Sequence, residues 1–254
     1  MNLTGNTIFI TGGGSGIGRG LAEALHRLGN EVIISGRRRD RINTVISANP
    51  GMKAIELDIT DPASIEYAAA RLIGEYPDLN VLINNAGIME FDRAAGPLDD
   101  ALTVATIATN LMGPLRMTSA LVEHLKTRKN PVVAYVSSVL GFTPLAQTAV
   151  YSATKAALHS YALSQRFLLK DTGVRVLEIA PPWVRTELLN SQDAEAAMPL
   201  DDFIAETLAA LTSGADEILV ERAKPLRNNA GPLEHALVDQ FNGRWLDMVA
   251  KAAA

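Results

Sequence analysis

Short apolar runs rich in β-branched residues, TIFIT, EVIIS, KAIELD, NVLINN, PVVAYVS, VRVLEIA and EILVE, recur along almost the whole chain. Between them lie stretches of helical periodicity near residues 17–28, 38–48, 61–75, 98–127, 148–171 and 200–213. This rhythm constrains the fold more than any other feature, because strands that alternate with helices of this length form right-handed βαβ units. The runs are apolar without alternation, as expected for strands buried on both faces. The prediction is an α/β fold, a doubly wound, seven-stranded parallel sheet with helices on both faces. No repeat, low-complexity block or linker divides the 254 residues, so residues 1–254 are read as a single domain.

Composition removes several classes of function. A net charge of -5 offers no electrostatic attraction for nucleic acid or an anionic membrane. Without cysteine there is no disulfide framework, thiolate nucleophile or Cys-ligated zinc. The four histidines, His26, His124, His159 and His235, lack ligand spacing, so no metal site is expected and each is read as a packing or surface residue. No apolar run approaches the roughly 18 to 20 residues of a membrane span, and MNLTGNTIFI lacks a basic leader. A cytoplasmic protein is the expectation.

The first strand runs directly into TGGGSGIG, Thr11 to Gly18, and then into a helical stretch. Glycines at 12, 16 and 18 allow a tight turn, close approach of backbone N–H groups to a pyrophosphate, and close packing of the helix that aims its N-terminus at that anion. The context is that of a Rossmann-type dinucleotide site, with Gly12, Ser15, Gly16, Ile17 and Gly18 as candidate contacts. A Walker A loop is excluded because Gly18 is followed by Arg19 and Gly20. The second strand ends in ISGRRRDR. An acidic residue about 20 positions after the glycines would hold ribose hydroxyls and repel a 2′-phosphate. Gly36 stands there instead, followed by Arg37 and Arg38, so NADP(H) is predicted over NAD(H), with Arg39 and Arg41 read as decoration of the next helix. Asp58 and Ile59 end the third strand and Asn85, Ala86 and Gly87 the fourth, where ligands gather in open α/β sheets.

In YSATK, Tyr151 and Lys155 lie four residues apart in a helical stretch, so phenol and ammonium share one face. Together with TGGGSGIG, NNAG, Asn110 in TNLMG, Ser138 in YVSSVLG and PPWVRT, this segment resembles the short-chain dehydrogenase/reductase family over about residues 5 to 190. The resemblance implies an NADP-dependent oxidoreductase that interconverts a carbonyl and an alcohol by hydride transfer. Its catalytic tetrad falls on Asn110, Ser138, Tyr151 and Lys155. By the resemblance, Tyr151 is the general acid/base, its phenolate favoured by the Lys155 ammonium. Lys155 also holds the nicotinamide ribose, Ser138 bonds the substrate oxygen, and Asn110 holds a water, its alternative being to satisfy a bent helix. Ser137 is expected to face away. Pro181, Val184 and Thr186 would meet the nicotinamide.

Two departures stand out. Pro182 replaces the family's usual glycine, removing an N–H, and ERAKPLRNNAGPLEHALVDQFN replaces a short Gly-rich ending. In both, the chain resembles a bacterial oxidoreductase subgroup linked to lipoteichoic-acid D-alanylation. A substrate lid is expected near 187–199, and Gly141, Phe142, Pro144 and Leu145 are candidates for an apolar wall. From about 225 to 254 an atypical helical segment carries Leu233, Leu237, Phe241, Trp245 and Val249 at fourfold spacing. It is read as core cover, a subunit interface or a partner's active-site wall, the first two ranking higher. The resemblance also implies a homodimer or homotetramer built on the two long helices. Two rivals compete: a non-catalytic NADP-binding regulator, disfavoured by the intact tetrad, and a sugar-nucleotide-modifying relative, disfavoured by Ser15 where its turn needs glycine.

Overall fold

The computed structural model describes residues 1–229 and 233–252. Seven strands form one parallel sheet: β1 (Thr7–Thr11), β2 (Glu31–Gly36), β3 (Lys53–Glu56), β4 (Leu79–Asn84), β5 (Val132–Val136), β6 (Arg175–Ile179) and β7 (Glu217–Ile218), in the order β3-β2-β1-β4-β5-β6-β7. The strand order reverses between β1 and β4, which opens a crevice at their carboxyl ends. The doubly wound, Rossmann-type prediction therefore holds. The last strand is shorter than the run EILVE suggests, because after Ile218 the chain leaves the sheet edge; Glu221 N–H turns to the Glu206 carboxylate and Ala223 N–H to Val220 O.

Alternate strand residues feed two cores. Ile8, Ile10, Ile34 and Val81 pack on α1 (Gly16–Arg27), α2 (Arg39–Ala48) and, through Phe203 and Leu211, on α7 (Leu200–Leu211). Phe9, Ile33, Leu82 and Val133 face α3 (Pro62–Glu75), α5 (Gly113–Lys126) and α6 (Ala149–Leu169) on the other side. Both faces are thus buried, which is why the strands read as unbroken apolar runs.

The stretch expected as one helix near 98–127 is α4 (Asp100–Ile107), a π-helical turn (Ala108–Met112) and α5. Pro114 has no N–H to give the carbonyl four residues back, which belongs to Asn110, so the regular ladder fails there. The last elements are α8 (Lys224–Arg227) and α9 (Glu234–Ala252).

Helix α6 lies hard against the turn after β5. A Cβ on Gly141 would sit 2.9 Å from Lys155 C and 3.0 Å from Ala156 N, both backbone atoms. We expect Gly141→Ala to destabilise by about 1–3 kcal/mol, as overpacking does, lowering Tm by roughly 2–4 °C per kcal/mol. Differential scanning calorimetry checks this; an unchanged Tm would refute the close packing.

Candidate active site

The turn after β1 and the segment after β4 are locked together. Thr11 Oγ1 accepts hydrogen bonds from the N–H groups of Asn85 (3.0 Å) and Ala86 (3.1 Å), and Asn85 Nδ2 donates to Thr11 O (3.0 Å) and Gly12 O (3.3 Å). Gly12 adopts φ +69° and Gly16 φ +51°, where a side chain would be strained. A Cβ on Gly12 would lie 2.9 Å from Ala86 Cα, and one on Gly18 only 2.3 Å from Asn85 Nδ2. Gly18 is buried beneath the turn and outside the cavity lining, where its lack of a side chain serves the close helix packing expected of this motif. Ser15 precedes α1 and makes no side-chain cap, so the helix's leading N–H groups remain open to an anion.

A cavity of about 690 Å³ runs along the carboxyl edge of the sheet from this turn. Gly12, Ser15, Gly16, Ile17, Ile59 and all of Asn85, Ala86 and Gly87 line it. Asp58 does not; its Oδ1 accepts from Thr60 N–H (2.9 Å) and Thr60 Oγ1 (2.7 Å). Burial raises its pKa, but those bonds and the Arg37 charge outweigh this and hold the carboxyl below its ordinary value. Leu57 and Ile59 form the wall at this point.

At the β2 end, Gly36, Arg37, Arg38 and Arg41 line the cavity. Arg37 makes no ion pair among the described residues, Arg38 Nη2 lies 3.4 Å from Ser15 Oγ and 4.0 Å from a Glu187 carboxylate oxygen, and Arg41 pairs with Glu187. Arg39 turns away to bond Glu56 (2.6 Å), as expected for a residue that merely decorates the helix. Arg41 does not fit that expectation, because its position on the inner side of α2 carries it over the cavity to the loop that follows β6.

Three strand spacings away, about 14 Å at ~4.8 Å each, Ser138, Tyr151 and Lys155 close the opposite end. All three are buried. Burial pushes the Tyr151 phenol up to about 12, opposed by a hydrogen bond with Ser138. The Lys155 ammonium donates to Val136 O (2.8 Å) and lies 5.4 Å from the centroid of the phenol ring. Burial lowers Lys155 itself to about 8, with the nearby Glu178 carboxylate pulling upward.

Asn110 lies in the π turn, but its side chain bonds another segment rather than the bent helix itself. Its Oδ1 accepts from Ile88 N–H and its Nδ2 donates to Ile88 O, both at 2.8 Å, which ties the π turn to the segment after β4. A Cβ on Gly87 would lie 3.4 Å from Asn110 Oδ1 and 3.8 Å from Lys155 Nζ, so all three groups meet at one point. Thr186 and Val184 line the cavity, as do Pro181 and Pro182. Pro181 O accepts from Val139 N–H (3.0 Å) and joins the loop after β6 to the turn carrying Ser138.

Glu178 and His159 are the residues that sequence reasoning missed. Glu178 is 1% exposed; it accepts from Ser137 Oγ (2.5 Å) and lies 2.7 Å from His159 Nδ1. Ser137 therefore faces away from Tyr151, as expected. His159 follows Lys155 by four residues on α6, and that spacing from YSATK was the available signal. Glu217 completes a three-donor cluster within 4.8 Å, but Arg227 grips it through two bonds of 2.8 Å, so charges inside the protein already compensate this cluster. Phe142 packs between His159 and Arg227 rather than on the cavity.

The segment near 187–199 contains one short 3₁₀ turn, Leu188–Asn190, and is fastened to the loop after β6. Val184 bridges Met198, Arg185 donates to Ala194 O and Glu195 O (3.0 Å each), and Trp183 Nε1 donates to Ser191 Oγ (2.9 Å). The C-terminal stripe also departs from expectation: Phe241 and Trp245 of α9 line their own chain's cavity, while Leu233 and Val249 are exposed. Trp245 meets Trp183 edge to face, with centroids 5.2 Å apart. The sequence showed the apolar stripe but not which surface it covers.

The sequence profile of the short chain dehydrogenase family matches residues 6–197. The chain belongs to the short-chain dehydrogenase/reductase family. It is an oxidoreductase of that family by relatives as well: it is 38% identical over 248 residues, 95% of this chain and 98% of the relative, to the uncharacterized oxidoreductase DltE of Bacillus subtilis (strain 168). Among solved structures, a short chain dehydrogenase from Burkholderia cenocepacia J2315 in complex with NADP superposes with TM-score 0.83 at 28% identity, covering 94% of this chain and 98% of its own. A 3-ketoacyl-(acyl-carrier-protein) reductase from Brucella melitensis complexed with NADH gives 0.77 at 26% identity, covering 84% and 93%. The Burkholderia structure thus holds NADP and the Brucella structure NADH. No helix among the described residues is long and apolar enough to cross a membrane.

Because Glu178 opposes the effect of burial on Lys155, Glu178→Gln should move the Lys155 titration below its value near 8. The lysine pKa is lower folded than unfolded, so the unfolded chain binds more protons between about 8 and the ordinary lysine value; there the Lys155 contribution to stability rises with pH. A ¹³C NMR titration of labelled lysines checks the shift. An unmoved midpoint would show that the carboxylate does not act on the ammonium.

Proposed function

We propose that the protein is an NADP(H)-dependent reductase that interconverts a ketone or aldehyde and its alcohol, with Tyr151 as general acid/base. The observation that carries this reading is the buried group of Ser138, Tyr151 and Lys155 at one end of a cavity whose other end holds an unpaired arginine, Arg37. The residues fit a phosphorylated dinucleotide. The glycine turn leaves no room for side chains, the α1 N-terminus is uncapped, and Gly36 puts no carboxylate where a 2′-phosphate would stand. Arg37 and Arg38 are assigned to that phosphate, Ile59 to the adenine side, with Asp58 shaping the turn beside it through Thr60, and Pro181, Val184 and Thr186 to the nicotinamide.

NADP(H), when bound, supplies or accepts the hydride. Tyr151, protonated at neutral pH because burial disfavours its phenolate, gives its proton to the carbonyl oxygen as negative charge develops there. Ser138 donates a second hydrogen bond to that oxygen. Lys155 holds positive charge within reach of the phenol ring and binds the ribose, while Asn110 holds the π turn against Ile88 and keeps the Lys155 environment in place. The apolar wall excludes water and strengthens these interactions.

The segment near 187–199 acts as the substrate lid of a single domain spanning residues 1–254. A homodimer or homotetramer is proposed from exposed apolar side chains on the long helices: Val104 and Ile107 on α4, and Leu163, Phe167 and Leu168 on α6. The protein is proposed to be cytoplasmic.

Tyr151→Phe should keep NADPH affinity, read by fluorescence titration, and lose turnover by about 10²–10⁴; near-normal turnover would remove Tyr151 as the acid. Arg37→Ala should lower the ratio of kcat/KM for NADPH over NADH by about tenfold or more, the loss of one charge-assisted bond. An unchanged ratio would contradict the phosphate assignment. Phe167→Glu with Leu168→Glu should shift the mass measured by light scattering to that of a smaller assembly; an unchanged mass would place the interface elsewhere.

A further inference from the structure

We infer that the cavity beyond Tyr151 is a chamber for uncharged carbonyl compounds carrying an aromatic or comparably bulky apolar group, received by a wall of Trp183 and Trp245. This rests on the reductase reading above and narrows it to a substrate class. Trp183 comes from the loop after β6, and Phe241 and Trp245 from α9; Leu140, Leu145 and Leu226 complete the lining around Ser138 and Tyr151. Both indole N–H groups are already committed, Trp183 to Ser191 Oγ (2.9 Å) and Trp245 to Gln147 Oε1 (2.7 Å). The rings therefore present hydrocarbon to the cavity, meeting edge to face with an interplanar angle of 65°. An aromatic ring can extend such an arrangement, which offset and edge contacts favour.

Asn242 holds α9 in place, accepting from Ala146 N–H (2.5 Å) and donating to Pro144 O (3.1 Å). The wall is thus fastened to the segment that follows the catalytic serine. Charge is distributed against an ionised substrate. The three lining arginines stand at the β2 end; near Ser138 the cation is Lys155, which is engaged with Val136 O, and the remaining lining carboxylate, Glu90, is exposed. A carboxylate or phosphate brought here would lose hydration without gaining a free cation.

The chain has two tryptophans and both line this chamber, so intrinsic fluorescence reports occupancy without turnover. The purified protein without added coenzyme is titrated with acetophenone, its carboxylate analogue 4-acetylbenzoate, and 2-butanone. Saturable change in tryptophan emission with acetophenone is expected, at an affinity about tenfold or more above either comparison compound, a difference of about 1.4 kcal/mol. Trp183→Phe and Trp245→Phe, each leaving one reporter, should both retain part of the signal. Trp245→Ala and Phe241→Ala should each raise the KM for acetophenone severalfold with a smaller effect on kcat.

No saturable change, or equal or tighter binding of 4-acetylbenzoate, overturns the chamber. A saturable acetophenone signal from a protein that turns over no carbonyl would uphold the chamber and sink the reductase reading. NADPH-dependent reduction of charged carbonyls, with no response to acetophenone, would do the reverse.

Discussion

The clasp between the ends of β1 and β4 is the constraint on which the rest of the site depends. Four hydrogen bonds cross the point where strand order reverses: Asn85 and Ala86 N–H groups donate to Thr11 Oγ1, and Asn85 Nδ2 donates to Thr11 O and Gly12 O. A chain must pack a helix N-terminus and a second strand end within contact distance there, and no side chain fits between them at Gly12 or Gly18. Because the clasp fixes the crevice, the anion-binding end of α1 and the backbone of Ala86 and Gly87 face the same cavity. The catalytic helix α6 then needs only to lie against the neighbouring strand β5, which Gly141 permits by leaving its backbone uncovered.

Within that frame, burial and charge work against each other at the catalytic pair. Burial disfavours both a charged Lys155 and a charged Tyr151. The protein restores the lysine in part through Glu178, a carboxylate that is 1% exposed and has Ser137 and His159 on its two oxygens. Lys155 and His159 lie one helical turn apart on α6, so the same face of that helix carries the phenol, the ammonium and the residue that supports the compensating carboxylate. Arg227, Glu217 and Phe142 extend this arrangement to α8, linking the C-terminal elements to the site by charge as well as by packing.

Most of the fold was legible from the chain because it depends on local periodicity. The seven apolar runs and six helical stretches reappear within a few residues, apart from the shortened β7 and the helix that Pro114 interrupts. Legibility declined wherever a residue's role depends on distant neighbours. Gly12 and Gly16 line the cavity, but Gly18 serves packing beneath it, and nothing in TGGGSGIG distinguishes the three. Asp58 sits at a strand end like any ligand-facing residue, yet Thr60, two positions on, captures its carboxylate. Glu178 escaped notice because a single Glu in an apolar run names neither Ser137 nor His159, 41 and 19 residues away, as its partners.

Charge is sorted along the cavity, and the sorting explains why two arginines are occupied and one is free. Glu187 follows Thr186 in the loop after β6, yet its carboxylate reaches Arg41 and approaches Arg38 across the groove. Such partly exposed pairs contribute only about 0–1 kcal/mol each, so their role is placement: they hold the loop after β6 over the turn, where Thr186 Cβ comes within 3.4 Å of a Cβ added to Gly16. Had Arg37 also been drawn to Glu187, no uncompensated cation would remain beside Gly36. One carboxylate therefore anchors the loop, while Arg37, which makes no ion pair among the described residues, stands at the end of the cavity farthest from Tyr151. The aromatic end, fastened by Asn242 and the two indole N–H groups, needs no such charge. A ligand with phosphate at one extremity and an apolar group at the other can enter this groove in one orientation only.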